Sequence, residues 1–335
     1  MKLLTSENEL YSAIPSELRA EELRGNMNRL LISDLKKYLF AAKKLYPEMV
    51  DSALGDIAKL DPSRRINPMY FTLLWQLTYG QRERNFGLVG SALGKLCMIP
   101  DDQKHFDGFR HENLQWDTLD NEIYAFLAGP DGPRSREGNL PEIQKLTPSE
   151  LVAGEDWLTN SIEAMRVLDP QLAIEFDAFV AQIRLFKGHT ARGITSPRCW
   201  GAILLRVPDP GLERDEPIMY FLDHVTHETS HILLHAIMAT DPLIMNGFEG
   251  RFSAPIRWDP RPLYGIFHAM FVLSRISRML HRYALAENRP ALFDARDTAM
   301  KRFWHGYDTI TKNANLTEAG VQVRESCANM VRGLV

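Results

Sequence analysis

His227-Glu228-Thr229-Ser230-His231 decides how this chain is read, because its two histidines stand four residues apart in a strongly helical stretch. On a helix that spacing puts both imidazoles on one face, one turn apart, where they can grip a single metal ion. Glu228 lies about 100° round the helix from His227. This is the HExxH pattern of hydrolytic zinc sites, in which the glutamate stands beside the open side of the metal. His224 and His235 fall in the same arc, and Phe221, Leu222, Val225, Ile232, Leu233, Leu234 and Ile237 make the other faces apolar. A helix apolar nearly all round is buried. Burying a row of histidines is costly unless each finds a partner, and a metal ion partners two of them at once.

The rest of the composition sets limits on function. A chain of 335 residues, 45% hydrophobic and 24% charged, is long enough for a large core in one or two domains. A net charge of -4 gives no global attraction to nucleic acid or to an acidic membrane surface, so an acidic ligand has to be met by local arginines. Cys97, Cys199 and Cys327 are far apart and form no CxxC pair, which points away from a disulfide framework or a cysteine zinc site. Met1-Lys-Leu-Leu-Thr-Ser-Glu7 turns polar after two leucines and lacks the apolar core of a signal peptide. No apolar run approaches the length of a membrane span, so the expectation is a cytoplasmic protein with reduced thiols.

Outward from the motif, helical periodicity dominates. Apolar residues from Leu18 to Leu39 recur at intervals of three to five, predicting a helix from Ser16 to about Tyr46. Met69–Tyr79, Phe86–Leu96 and Leu119–Leu127 read the same way, with Tyr70, Phe71, Leu74, Trp75 and Leu77 as core packing. Gly129 to Asn139 concentrates glycine, proline and charge and sustains neither helix nor strand. Thr147-Pro-Ser-Glu150 is a capping box that starts a new helix. Asp169-Pro170 starts another, expected to run through Leu172, Phe176, Phe179, Val180, Ile183 and Phe186. Cys199 to Val207 is a short apolar run ending at Pro208, most simply a buried strand. Beyond the motif helix, Asp241-Pro242 breaks the pattern, a long helix follows from Leu263 to Ala286, and two more fill Pro290 to Val335 with a turn near Asn313 to Asn315. The expected fold is mainly α, with a small β-sheet beside the HExxH helix. The expected division is an N-terminal helical region over 1–128, a linker or mobile loop over 129–142, and a metal-binding catalytic region over 143–335.

A third ligand separates the possible chemistries. The extended HExxHxxGxxH pattern would need glycine at Leu234 and histidine at Ile237, so that class is excluded. Glu249 and Glu287 are helix-borne glutamate candidates, but neither sits in an ExxxD context. His268, in the apolar stretch Gly265-Ile-Phe-His-Ala-Met-Phe271, is the better candidate, because a two-histidine half-site lacks a partner.

Taken together, His227-Glu-Thr-Ser-His-Ile-Leu-Leu234, Ser253-Ala-Pro-Ile-Arg-Trp-Asp-Pro-Arg-Pro262 and Gly265-Ile-Phe-His268 resemble the HExxH-motif proteins of ribosomal-peptide gene clusters. The resemblance covers roughly Cys199 to Arg282. That family is described as iron(II)- and 2-oxoglutarate-dependent peptide β-hydroxylases. It implies a metal held by His227, His231 and His268, with iron(II) and 2-oxoglutarate as cofactors and a precursor peptide as partner. The keto acid chelates iron at two positions and leaves one for dioxygen, so three protein ligands on one face are required. Its remote carboxylate needs a cationic clamp, for which Arg257 and Arg261 stand ahead of His268, each also able to form a salt bridge with Asp259. Glu228 then orients a ligand or a bound water, or touches substrate. Two alternatives stay open: a zinc metallopeptidase in which Glu228 is the general base, and a non-catalytic peptide-binding scaffold that keeps a metal for stability.

Overall fold

The computed structural model describes residues 7–129, 132–209 and 216–334. It is 62% helical and 10% strand, the helix-dominated class that the periodicity implies. The predicted helices appear as Glu17–Ala42, Met69–Arg82, Phe86–Leu96, Thr118–Leu127, Pro217–Met238, Leu263–Glu287, Pro290–Asn313 and Glu318–Arg332. Proline marks their starts: Pro47, Pro148, Pro170, Pro217 and Pro290 each open a helix, where a missing N–H costs nothing. The capping box forms as read, with the Thr147 N–H donating to Glu150 Oε2 at 2.7 Å and the Glu150 N–H donating to Thr147 Oγ1 at 3.4 Å. Among the described residues of 129–139 there is neither helix nor strand.

One reading is corrected. The helix that Asp169-Pro170 opens ends at Phe179, and Ile183 and Phe186 belong to a strand, Gln182–His189. The first five residues of this strand are all buried, so they lack the in-out alternation of a half-exposed strand, and helical periodicity can absorb them.

The chain separates into two compact units interleaved in sequence: Met1–Ala20, Glu155–Phe176 and Pro208–Val335 form the first, and Glu21–Gly154 with Asp177–Val207 the second. Packing therefore partitions the chain differently from the linear division at 129–142.

The second unit holds the strands: β1 (Arg65–Ile66), β2 (His105–Phe106), β3 (Arg110–Asn113), β4 (Glu142–Gln144), β5 (Gln182–His189), β6 (Gly193–Thr195) and β7 (Ala202–Arg206). β1 and β2 form a small antiparallel ladder of their own. The main sheet runs β3-β5-β7-β6, with β4 paired to the far end of β5. β5 is parallel to β3 (Arg110↔Gln182) and to β7 (Ile183↔Ile203), while β6 returns antiparallel to β7 (Ile194↔Leu204). Where β4 crosses β5, Gly188 adopts φ +152°, and a Cβ there would lie 1.8 Å from the Glu142 carbonyl oxygen, so only glycine fits. Phe186, Leu204 and Ile194 pack with Leu119, Ile123 and Leu127 of the Thr118–Leu127 helix.

The first unit is a helical bundle around Leu263–Glu287, which packs on Pro217–Met238, Pro290–Asn313 and Glu318–Arg332. Ile266, Phe267, Met270 and Phe271 meet no solvent, as do Leu222, Val225, Leu233 and Ile237, each contributing about 1.5–3 kcal/mol by burial. Within this core lies an ion-pair network. Glu175 takes Arg19 Nη2 at 2.5 Å and also pairs with Arg275, whose Nε donates to Ser230 Oγ at 2.9 Å. Arg275 Nη1 donates to the Ala13 carbonyl and the Ser16 N–H donates to Glu175, so the first segment of the chain is fastened to the bundle.

Candidate metal centre

The HETSH segment sits in the middle of the Pro217–Met238 helix, and the helix turns its apolar residues inward on most sides. His227, His231 and His235 follow one another at intervals of four and are half-buried, so they form a stripe that still reaches solvent. His268, only 6% exposed, is supplied to the same stripe by the Leu263–Glu287 helix. His227 Nε2 stands 3.2 Å from His231 Nε2, and His231 Nδ1 stands 3.2 Å from His268 Nδ1. The structure thus brings together all three histidines expected to bind metal, and adds His235, whose ring centroid lies 5.4 Å from that of His268.

These rings are held neutral. Burial pushes His227 and His235 down to about 4, and it pushes His231 and His268 well below their ordinary value, helped by the neighbouring imidazoles. A neutral imidazole is the form that binds a metal, and imidazole suits zinc, copper, iron and nickel. Two ring nitrogens, His268 Nε2 and His235 Nδ1, are buried without a hydrogen-bond partner among the described residues. Buried polar atoms of that kind call for a ligand, and the donor chemistry fits a transition-metal ion. The rings are not posed as a three-sided cage. His231 turns Nε2 to His227 and Nδ1 to His268, and among the described residues no group of three His, Cys, Asp or Glu side chains surrounds one point.

The other expected residues take separate places. Glu228 is 3% exposed, deeper than the histidine stripe that flanks it. Arg257 holds Asp259 through two contacts, Nε to Oδ1 at 2.9 Å and Nη2 to Oδ2 at 3.3 Å. Arg261 Nη2 reaches the same carboxylate at 2.8 Å, so the salt bridge open to either arginine forms with both. Glu249 is exposed, and Glu287 ends the His268 helix roughly 28 Å further along its axis, out of reach of the cluster. His224 turns its Nδ1 to the Tyr220 carbonyl at 2.7 Å and stacks on the Tyr220 ring.

Two features escape a reading of the sequence alone. Tyr264, one turn before His268, lays its ring 4.3 Å from that imidazole, and burial raises its phenol. Its i−4 spacing from His268 is the only signal that could have marked it. Ser230, inside the motif, donates to the Thr226 carbonyl at 2.6 Å while accepting from Arg275, so the buried ion-pair network takes hold of the motif itself. No helix among the described residues is long and apolar enough to cross a membrane. No family model matches the chain, and a search among curated proteins returns no match.

Proposed function

We propose that the chain is an iron(II)- and 2-oxoglutarate-dependent oxygenase that β-hydroxylates a residue of a ribosomally made precursor peptide in the cytoplasm. The observation that supports this reading is the meeting of His227 and His231 from one helix with His268 from another, all as neutral imidazoles. When bound, iron(II) with the keto acid supplies dioxygen activation, chemistry that belongs to the cofactor. The protein supplies the donors, the orientation and the exclusion of water.

His227, His231 and His268 would hold the ion. Arg261 is the proposed clamp for the distal carboxylate of 2-oxoglutarate. Its side chain is 11% exposed against 28% for Arg257, and it stands two residues ahead of the helix that carries His268. Asp259 keeps both guanidinium groups in place and would give up its contact with Arg261 to the incoming carboxylate. Glu228, being buried, acts as a positioning group. Tyr264 covers one side of His268 and keeps water from it.

The test is co-expression with a small peptide encoded beside the gene. Wild type should add one oxygen atom to the peptide and His268→Ala none. Cleavage of the peptide by wild type, lost in Glu228→Ala, would replace this reading with the zinc peptidase.

A further inference from the structure

The cluster contains four imidazoles, one more than the proposed ligand set uses. His227 and His231 present Nε2 to each other at 3.2 Å, with ring centroids 4.9 Å apart. His235 and His268 lie with centroids 5.4 Å apart and planes inclined at 51°, and each has one buried nitrogen without a hydrogen-bond partner among the described residues. Two imidazoles on one tetrahedral ion, with metal–nitrogen bonds of about 2.0–2.1 Å, place their ring centroids about 5 Å apart. Both pairs meet that spacing, as does His231 with His268 at 5.4 Å.

One ion cannot serve all four rings. His227 and His235 are eight residues apart on one helix, roughly 12 Å along the axis, so an ion gripped by the first pair lies a full turn from the second. His268 stands between them, with Nδ1 toward His231 and its other ring nitrogen, Nε2, without a partner among the described residues. The His235–His268 pair also has no protein group to replace an ion, since neither orphaned nitrogen meets a donor or acceptor among the described residues.

We infer that His235 and the Nε2 side of His268 form a second transition-metal site, adjacent to the one that His227 and His231 share with His268 Nδ1, so that the loaded protein carries two ions with His268 between them. Its remaining positions are open to water or to an oxygen donor of a bound molecule. The inference rests on the cluster being a metal centre, and it is independent of which reaction the centre performs.

The experiment titrates metal-free full-length protein with zinc(II), reading stoichiometry by calorimetry and by elemental analysis of the desalted protein, and repeats it with cobalt(II) to follow visible absorption. Wild type should bind two equivalents, and His235→Ala and the near-isosteric His235→Gln should each bind one, a twofold loss, with unchanged far-ultraviolet circular dichroism. His227→Ala should likewise drop to one, with a cobalt spectrum different from that of His235→Ala. A single equivalent in wild type, unaffected by either change at His235 but lost in His227→Ala, overturns the second site and leaves the first standing. No bound metal in wild type overturns both.

Discussion

Two buried polar clusters lie in the first unit, and they solve the same problem in opposite ways. Around Glu175, burial alone would raise the carboxyl, but Arg275 and Arg19 hold it below the usual carboxylate range, and the charges pair within the protein, although Arg19 Nε lacks a hydrogen-bond partner among the described residues. In the histidine cluster the groups shed their charge instead, and two nitrogens are left without a partner among the described residues. A network closed on itself holds a fold together; a cluster with open donors is shaped for something that comes from outside. The two meet at Ser230, which belongs to the motif and accepts from Arg275.

The sharpest way to break this contrast is to cut the closed network. Glu175→Gln leaves two buried arginines without their anion and should cost about 3–5 kcal/mol in denaturant unfolding. A loss under about 1 kcal/mol would show that the network is not what holds the first segment down. The sign with pH follows from the lowered folded pKa. The carboxylate's contribution is present above the ordinary carboxylate range and is lost as acid carries the pH down through the folded value, so wild type and Glu175→Gln should converge in stability there.

The open cluster should respond to ligand where the closed one does not. Saturating metal at 100 times its dissociation constant should stabilise wild type by about 2.7 kcal/mol per bound ion, read as a rise in Tm, and removing His227, His231 and His235 together should abolish the rise. Arg261→Ala should weaken 2-oxoglutarate binding by roughly tenfold to a hundredfold, the loss of a contact of about 1.5–3 kcal/mol, while Arg257→Ala changes it little. Equal effects of the two would assign the clamp to the Asp259-linked pair as a whole. Smallest of all, Thr147→Ala removes a helix cap in the second unit and should cost about 1 kcal/mol with no change in metal binding.

What could be read from the sequence, and what could not, follows the range of the interactions. Thr147-Pro-Ser-Glu150 and the prolines that open helices act within one turn, and the spacing of His227 and His231 places both on one face whatever surrounds them. β5 reads locally as a helical continuation because its neighbours β3 and β7 come from residues 110–113 and 202–206, and that pairing gives it extended geometry. Arg19 and Glu175 are 156 residues apart, and no local pattern joins them. His235 was visible as part of the motif's arc, but its partnership with His268 depends on how two helices pack.

Whether the open cluster holds iron for an oxygenase, as proposed, can be read from one anaerobic spectrum. Protein loaded with iron(II) and then 2-oxoglutarate should develop a weak visible metal-to-ligand charge-transfer band, because the chelated keto acid accepts charge from an electron-rich iron. Zinc, with its filled d shell, gives none. The band should appear in wild type and be lost in His227→Ala and His268→Ala. Its absence from wild type that has demonstrably bound iron(II) would contradict the oxygenase reading.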